Sequence, residues 1–169
     1  MTIWILLTGV AAASASQAPA TNPLDYVPNI MPYAAPYGAP IGLHGAESVL
    51  NRALSESEKR TWSETCAVVD SGGNLVSLKR MDGAMLASIE VAIHKARVSV
   101  RYRRETKAFE TSIQDGNSYQ LTLDDLIAAP GGVPLLEDGR IVGAIGCSGG
   151  TGSQDELVAQ AGVTALEKR

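Results

Sequence analysis

Apolar residues recur along the chain with a period that changes from segment to segment, and the changes mark out its elements. Leu43, Ala46, Val49, Leu50, Ala53 and Leu54 repeat at helical spacing and predict an amphipathic first helix that fades into Ser55-Glu56-Ser57-Glu58. Cys66 to Val69 reads as a short apolar strand, Asp70-Ser71-Gly72-Gly73 as a turn, and Asn74 to Lys79 as the returning strand. Ala84 to Arg104 is the longest helical pattern and contains no Gly or Pro; Lys107 to Ile113 continues it after a break near Glu105-Thr106. Val133 to Glu137, the Asp138-Gly139 turn and Ile141 to Cys147 form the clearest hairpin. Ser153, with Glu156 three residues on, has the spacing of a capping box and predicts the start of a last helix. Strand pairs joined by tight turns, set among helices in the order α-β-β-α-(α)-β-β-α, predict an antiparallel sheet with helices packed on it, an α+β domain.

The first forty residues follow a different pattern. Ile3 to Ala13 is an uncharged apolar run followed by Ser14-Ala15-Ser16, which fits cleavage after Ala15. Residues 1–15 therefore predict a secretory signal peptide, since a membrane span needs about 20 apolar residues. No Lys or Arg precedes the run. The expected product is periplasmic or secreted and has no membrane span after cleavage. Residues 16–41 carry six of the eight prolines, with Tyr26, Tyr33 and Tyr37 among them. Proline at that density removes backbone donors and favours extended or irregular chain. This segment is either a spacer or an arm whose tyrosines dock on the domain or on a neighbouring subunit. The domain proper is expected over 42–169.

Composition narrows the function classes. With 169 residues, 45% of them apolar, the chain buries a real core as one domain. A net charge of −4 argues against a general nucleic-acid binder. Two cysteines and two histidines are too few for a zinc module built on paired ligand clusters. Cys66 and Cys147 each fall in a predicted strand and would be able to form one disulfide in an exported protein. Neither has the neighbouring Cys or His of a reactive thiol.

Against the acidic balance, Lys95, Arg97, Arg101, Arg103, Arg104 and Lys107 concentrate six cations, a patch suited to a small anionic ligand through bidentate Arg. The bland alternative is a solvated face balanced by Glu90, Glu105 and Glu110. On a helical wheel Met85, Ile89, Ala92, Ile93, Ala96 and Val100 make the core stripe. Glu90, His94, Arg97 and Arg101 line one flank; Ser88, Lys95 and Tyr102 line the other. His94 then points to solvent beside Glu90 or serves as a ligand, and Lys95 is either a surface amine or reaches into a cleft. Gly143 to Gly152 has the order of an anion-binding loop, but no Gly-Lys-Ser/Thr is present and Asp155 and Glu156 would repel a phosphate, so it reads as a tight strand-to-helix connection.

The chain contains Val68-Val69-Asp70-Ser71-Gly72-Gly73-Asn74-Leu75, Lys79-Arg80-Met81-Asp82-Gly83-Ala84, Lys95-Ala96, Arg104-Glu105-Thr106-Lys107, Gly131-Gly132-Val133-Pro134-Leu135, Gly143 to Gly149 and Gln154-Asp155-Glu156. In these segments the core resembles the GlcG/HbpS family of haem-binding (haem-degrading-domain) proteins, whose domain also forms the C-terminal part of PduO-type corrinoid adenosyltransferases. The segments occur in order from about residue 42 to the end. The resemblance implies a profilin-like antiparallel sheet flanked by helices, assembly into homo-oligomers such as octamers, and a haem or iron cofactor. Carried over by position, the polar site residues are Arg80, Asp82, Lys95, Thr106 and Asp155. Thr106 matches a threonine axial ligand, and His94 is the other candidate for iron, through a subunit interface. Arg80, Lys95 and Arg104 would pair with haem propionates. Two functions follow: an exported haem- or tetrapyrrole-binding protein, with or without haem degradation, or an enzyme on a small organic acid with Lys95 and Asp155 as acid/base groups over Arg80. A purely structural oligomer is the third expectation.

Overall fold

The computed structural model describes residues 29–31 and 33–166; the expected signal peptide and most of the proline-rich segment lie outside them. Within the unit from Met31 onward, helix α1 (Leu43–Lys59) leads into strands β1 (Thr65–Asp70) and β2 (Leu75–Arg80), then helices α2 (Ser88–Tyr102) and α3 (Lys107–Gln114). A 3-10 turn (Ser118–Thr122), strands β3 (Gly132–Glu137) and β4 (Arg140–Ser148) and helix α4 (Gly152–Val163) complete it. The strands form one sheet in the order β2-β1-β4-β3, every neighbouring pair antiparallel. The expected α+β architecture is the one observed: helices cover both faces of an antiparallel sheet.

Alternation along the two central strands decides which face each helix takes. Cys66 and Val68 of β1 and Ile145 and Cys147 of β4 point into a core built with Val49, Leu50 and Ala53 of α1 and Val158 and Ala159 of α4. Val69 and Ala144 point the other way, toward Ala96 and Val100 of α2. Helix α2 lies so close to β4 that a Cβ on Gly146 would overlap the Ala92 carbonyl and the Ala96 amide. Cys66 and Cys147 stand directly opposite in the register and form a disulfide, their Cα atoms 4.2 Å apart. The β3–β4 turn is as expected from Asp138-Gly139: both residues have positive φ, 49° and 71°, which is the requirement of a two-residue hairpin loop.

Three expectations need correction. Helix α2 begins at Ser88, not Ala84, and Met85 is 54% exposed ahead of it. The buried residues are Ser88, Ala92, Lys95, Ala96, Val98, Ser99 and Val100, so the core stripe is rotated toward the flank that carries Ser88 and Lys95. Ile89 and Ile93 are only half-buried. The box that opens α4 is Thr151 with Gln154, not Ser153 with Glu156. Thr151 has the extended backbone an N-cap needs (φ −75°, ψ 157°).

Part of the proline-rich segment belongs to the domain. The Gly38 amide donates to the Ile141 carbonyl, the Ile141 amide to Pro36 and the Ile41 amide to Val142, so residues 36–41 run along β4 beyond the end of β1. Ile41 is buried in the core, and the Tyr37 hydroxyl donates to the Val100 carbonyl at 2.9 Å. Of the two readings of this segment, docking describes residues 36–41.

Substitution of Gly146 by Ala places a methyl against the α2 backbone, which side-chain rotation cannot relieve. Gly146→Ala is expected to destabilise the domain by about 1–3 kcal/mol or more, read as the shift in the urea midpoint. Gly42→Ala, where a Cβ meets open space, is expected to cost well under that.

Candidate functional site

Antiparallel pairing brings the start of β1, the end of β4 and the start of β3 to one end of the sheet, and α2 and α4 converge there. A polar cluster is buried at this end. Lys95 of α2 is 2% exposed; its Nζ donates to Asp155 Oδ2 at 2.6 Å and to the Cys147 carbonyl at 3.1 Å. Asp155 Oδ1 accepts from the Gly150 amide at 2.9 Å, which fixes the first turn of α4. Gly131, at φ +119°, closes over the pair: a Cβ there would sit 2.8 Å from Asp155 Cβ and 3.1 Å from Lys95 Nζ. Glu64, immediately before β1, is fully buried, and neither carboxylate oxygen has a hydrogen-bond partner among the described residues. Burial, reinforced by the charge of Asp155 and opposed by Lys95, pushes the Glu64 carboxyl up from 4.5 to about 7.

The residues singled out from the sequence take up distinct environments. Lys95, Asp155 and Thr106 converge on the Gly131-Gly132 segment. Thr106 is fully buried at the start of α3, its Oγ1 accepting from the Gly132 amide at 2.9 Å, and its own amide donates to the Gly132 carbonyl. Arg80 and Asp82 lie at the same end of the sheet but on its surface; Arg80 is opposite Thr65, and the Met81 amide between them donates to the Glu64 carbonyl. His94 stands apart from this group. Its Nε2 lies 3.0 Å from Asp125 Oδ1 and 2.9 Å from the Asp125 carbonyl, so its neighbour is Asp125 and not Glu90. Sequence reasoning missed Glu64 and Asp125; an acidic residue beside a strand or in a loop carries no local mark of its tertiary partners.

The run of cations expected as one patch is divided. Lys95 is consumed inside, Arg97 donates to the Gly73 carbonyl, Arg101 pairs with Asp125 and Lys107 with Glu156. What remains is an arginine–tyrosine cleft at the end of α2. Arg103 ends the helix in the left-handed region (φ 54°) with its guanidinium over the Tyr37 ring at 5.7 Å. That reversal of the backbone lets Arg104 lie 3.7 Å from the Tyr33 ring centroid and 4.7 Å from that of Phe109. Arg101, Arg103, Arg104, Tyr33, Tyr102 and Tyr119 line a cleft of about 460 Å³. Arg104 and Tyr33 also line an adjoining cavity of about 410 Å³ together with Val133, Pro134, Leu136 and Val163, and with the polar Glu105 and Gln160. Polar donors therefore adjoin an apolar slot, which is the composition of a site for an amphipathic anion.

Sheet, helix layers and cleft together define a small α+β domain with a candidate ligand cleft. A family model described as haem degrading protein HbpS-like matches residues 41–164, and the chain belongs to that HbpS-like family. Protein GlcG of Escherichia coli K12 is 39% identical over 103 residues, 61% of this chain and 77% of GlcG. Among solved structures, HbpS superposes with a TM-score of 0.71 at 28% identity, covering 76% of this chain and 92% of that one. A PduOC:heme complex gives 0.68 at 25% identity, covering 76% and 96%. The resemblance read from the sequence is thereby confirmed, and with it the fold.

Glu64 generates a pH dependence of stability. The folded chain keeps the proton up to about pH 7 and the unfolded chain loses it near 4.5, so unfolding releases a proton between those values and stability falls as pH rises through them. The difference corresponds to about 3 kcal/mol lost by pH 8 relative to pH 4. Glu64→Gln should remove this component and be more stable than wild type at pH 8, with little difference at pH 4, by urea unfolding at both pH values. Equal slopes for the two proteins would contradict the assignment.

Proposed function

We propose that this protein binds haem or a closely related carboxylated tetrapyrrole in the arginine–tyrosine cleft. The observation that carries the reading is the shared Arg104–Tyr33 wall, with arginine donors on one side and an apolar slot on the other. A tetrapyrrole has the same division, with propionates at one edge and a flat apolar face. Arg103 and Arg104 would hold the propionates by charge-assisted hydrogen bonds. Arg101 is already committed to Asp125. The tyrosine rings and Val133, Pro134 and Leu136 would receive the macrocycle. Membership of the HbpS-like family and likeness to a PduOC:heme complex support the same ligand class.

The iron donor is a narrower matter. Thr106 Oγ1 is buried against the Gly132 amide, so Thr106 supports the start of α3 before it can serve iron. His94 shares Asp125 with Arg101, a residue that lines the cleft, and releasing Asp125 would free its imidazole. When bound, haem would supply a redox-active iron, and Arg103, Arg104 and the tyrosine rings would hold and orient it. Lys95 and Asp155 are closed off by Gly131 and act on the fold of this site in the described conformation.

We further propose export. The apolar run at the N-terminus and the Cys66–Cys147 disulfide support it together, because disulfides persist in oxidising compartments. Exposed Met85 and Leu86 beside the start of α2 support self-association, for which native mass is the measurement.

Addition of haemin to the purified protein is expected to give a saturable Soret band near one haem per chain. Arg103→Ala and Arg104→Ala should each weaken binding by roughly 10- to 150-fold, from the loss of a charged hydrogen bond of about 1.5–3 kcal/mol. His94→Ala should move the Soret maximum if its imidazole meets the iron. Absence of any spectral change at stoichiometric haemin would overturn the reading.

A further inference from the structure

One part of the buried cluster is left over from the ligand site. Glu64 precedes Cys66 by two residues, so the two side chains lie on the same face of the chain, and Cys147 stands opposite Cys66 on β4. One carboxylate oxygen of Glu64 and the two Sγ atoms all lie within 4.8 Å of one another, and all three residues are buried. A buried carboxylate with no hydrogen-bond partner is uncommon and calls for a specific reason. Here the orphaned oxygens are beside two sulfurs, and Gly149 covers them: a Cβ at Gly149 would sit 3.0 Å from Glu64 Cγ.

We infer that, once the disulfide is reduced, Cys66, Cys147 and Glu64 form a site for a soft divalent cation of the zinc class. Two thiolates and one carboxylate are a zinc donor set, and three protein ligands leave the fourth position to water. Zinc–ligand bonds of about 2.3 Å to sulfur and 2.0–2.2 Å to oxygen put donors roughly 3.5–3.8 Å apart; the Glu64 oxygen already lies within 4.8 Å of both sulfurs, and the sulfurs, bonded in the disulfide, separate on reduction to reach that spacing. The chemistry balances as follows. A dithiol reductant gives two electrons and two protons to the Sγ–Sγ bond and leaves as its own disulfide. The cation then displaces the two thiol protons to solvent, with any proton on Glu64, and bonds to the two sulfurs and the carboxylate.

In the oxidised chain the sulfurs are spent on each other, so disulfide and cation exclude one another. Both clamp β1 to β4 at the same rung, and the cation restores to the reduced chain the cross-strand tie it has lost.

The test uses the full chain reduced with a phosphine and freed of reductant without air. Zinc is titrated against a chromophoric chelator, with cobalt(II) as the spectroscopic probe. The reduced protein should take one cation per chain, show sulfur-to-cobalt charge-transfer absorption and protect both thiols from alkylation. Glu64→Gln should bind at least about tenfold more weakly, and the oxidised protein and the Cys66→Ser/Cys147→Ser variant should not bind. If reduction unfolds the chain, zinc should restore its far-ultraviolet circular dichroism. The inference is overturned if the folded reduced chain takes no metal, if zinc fails to restore an unfolded one, or if Glu64→Gln binds as tightly as wild type.

Discussion

The ammonium of Lys95 has no water to solvate it, and much of the structure follows from how the protein meets that requirement. The side chain starts on α2, passes the end of β4 and terminates on Asp155 of α4. A buried ion pair gains little over a well-packed apolar contact, but removing one partner costs about 3–5 kcal/mol, because the other charge is stranded. Helices on opposite faces of the sheet are therefore tied together through its end. The Gly150 amide holds the second oxygen of Asp155, and Gly131 must lack a side chain for β3 to start where it does. Gly132 then meets Thr106 through two hydrogen bonds, which places the start of α3.

The ligand cleft inherits its position from the same helix. Helix α2 is held along β4 by the Gly146 contact and stops at Arg103 in the left-handed region. Without that reversal Arg104 would continue the helical row and would not meet Tyr33 and Phe109. The proline-rich segment contributes the other wall. Its residues 36–41 bond to β4 where β1 has ended, and Tyr37 reaches back to the last turn of α2. An arginine held against aromatic rings has lost much of its conformational freedom already, so less is lost when it binds an anion.

What could be read from the sequence was what local chemistry decides. Both hairpins are as expected because Asp70-Ser71-Gly72-Gly73 and Asp138-Gly139 fix their turns without help from elsewhere. The stripe of α2 was misplaced because its buried face includes Ser88, Lys95 and Ser99, which hydropathy assigns to solvent. Lys95 is inside only because Asp155, sixty residues on, is there to receive it. The start of α4 is expected at Ser153 with Glu156, whereas the extended backbone at Thr151 makes that residue the N-cap, boxed with Gln154. Glu64 and the His94–Asp125 contact were hidden for the same reason: their environments are assembled from segments distant in sequence.

Two carboxyl groups and one amine share the buried end of the sheet, and one positive charge can neutralise only one of them. Asp155 has the 2.6 Å bond to Lys95 and the Gly150 amide. Glu64 has neither, and its near neighbours are the sulfurs of a disulfide, which donate nothing. The proton on Glu64 is thus the counterpart of the Lys95–Asp155 pair: with it in place the cluster is neutral overall, and above about pH 7 it carries one uncompensated negative charge. A net charge of −4 counted along the sequence conceals this division. The cations that face outward gather at the cleft on α2, while inside, at the other end of the network that Lys95 begins, the charge to be balanced is negative.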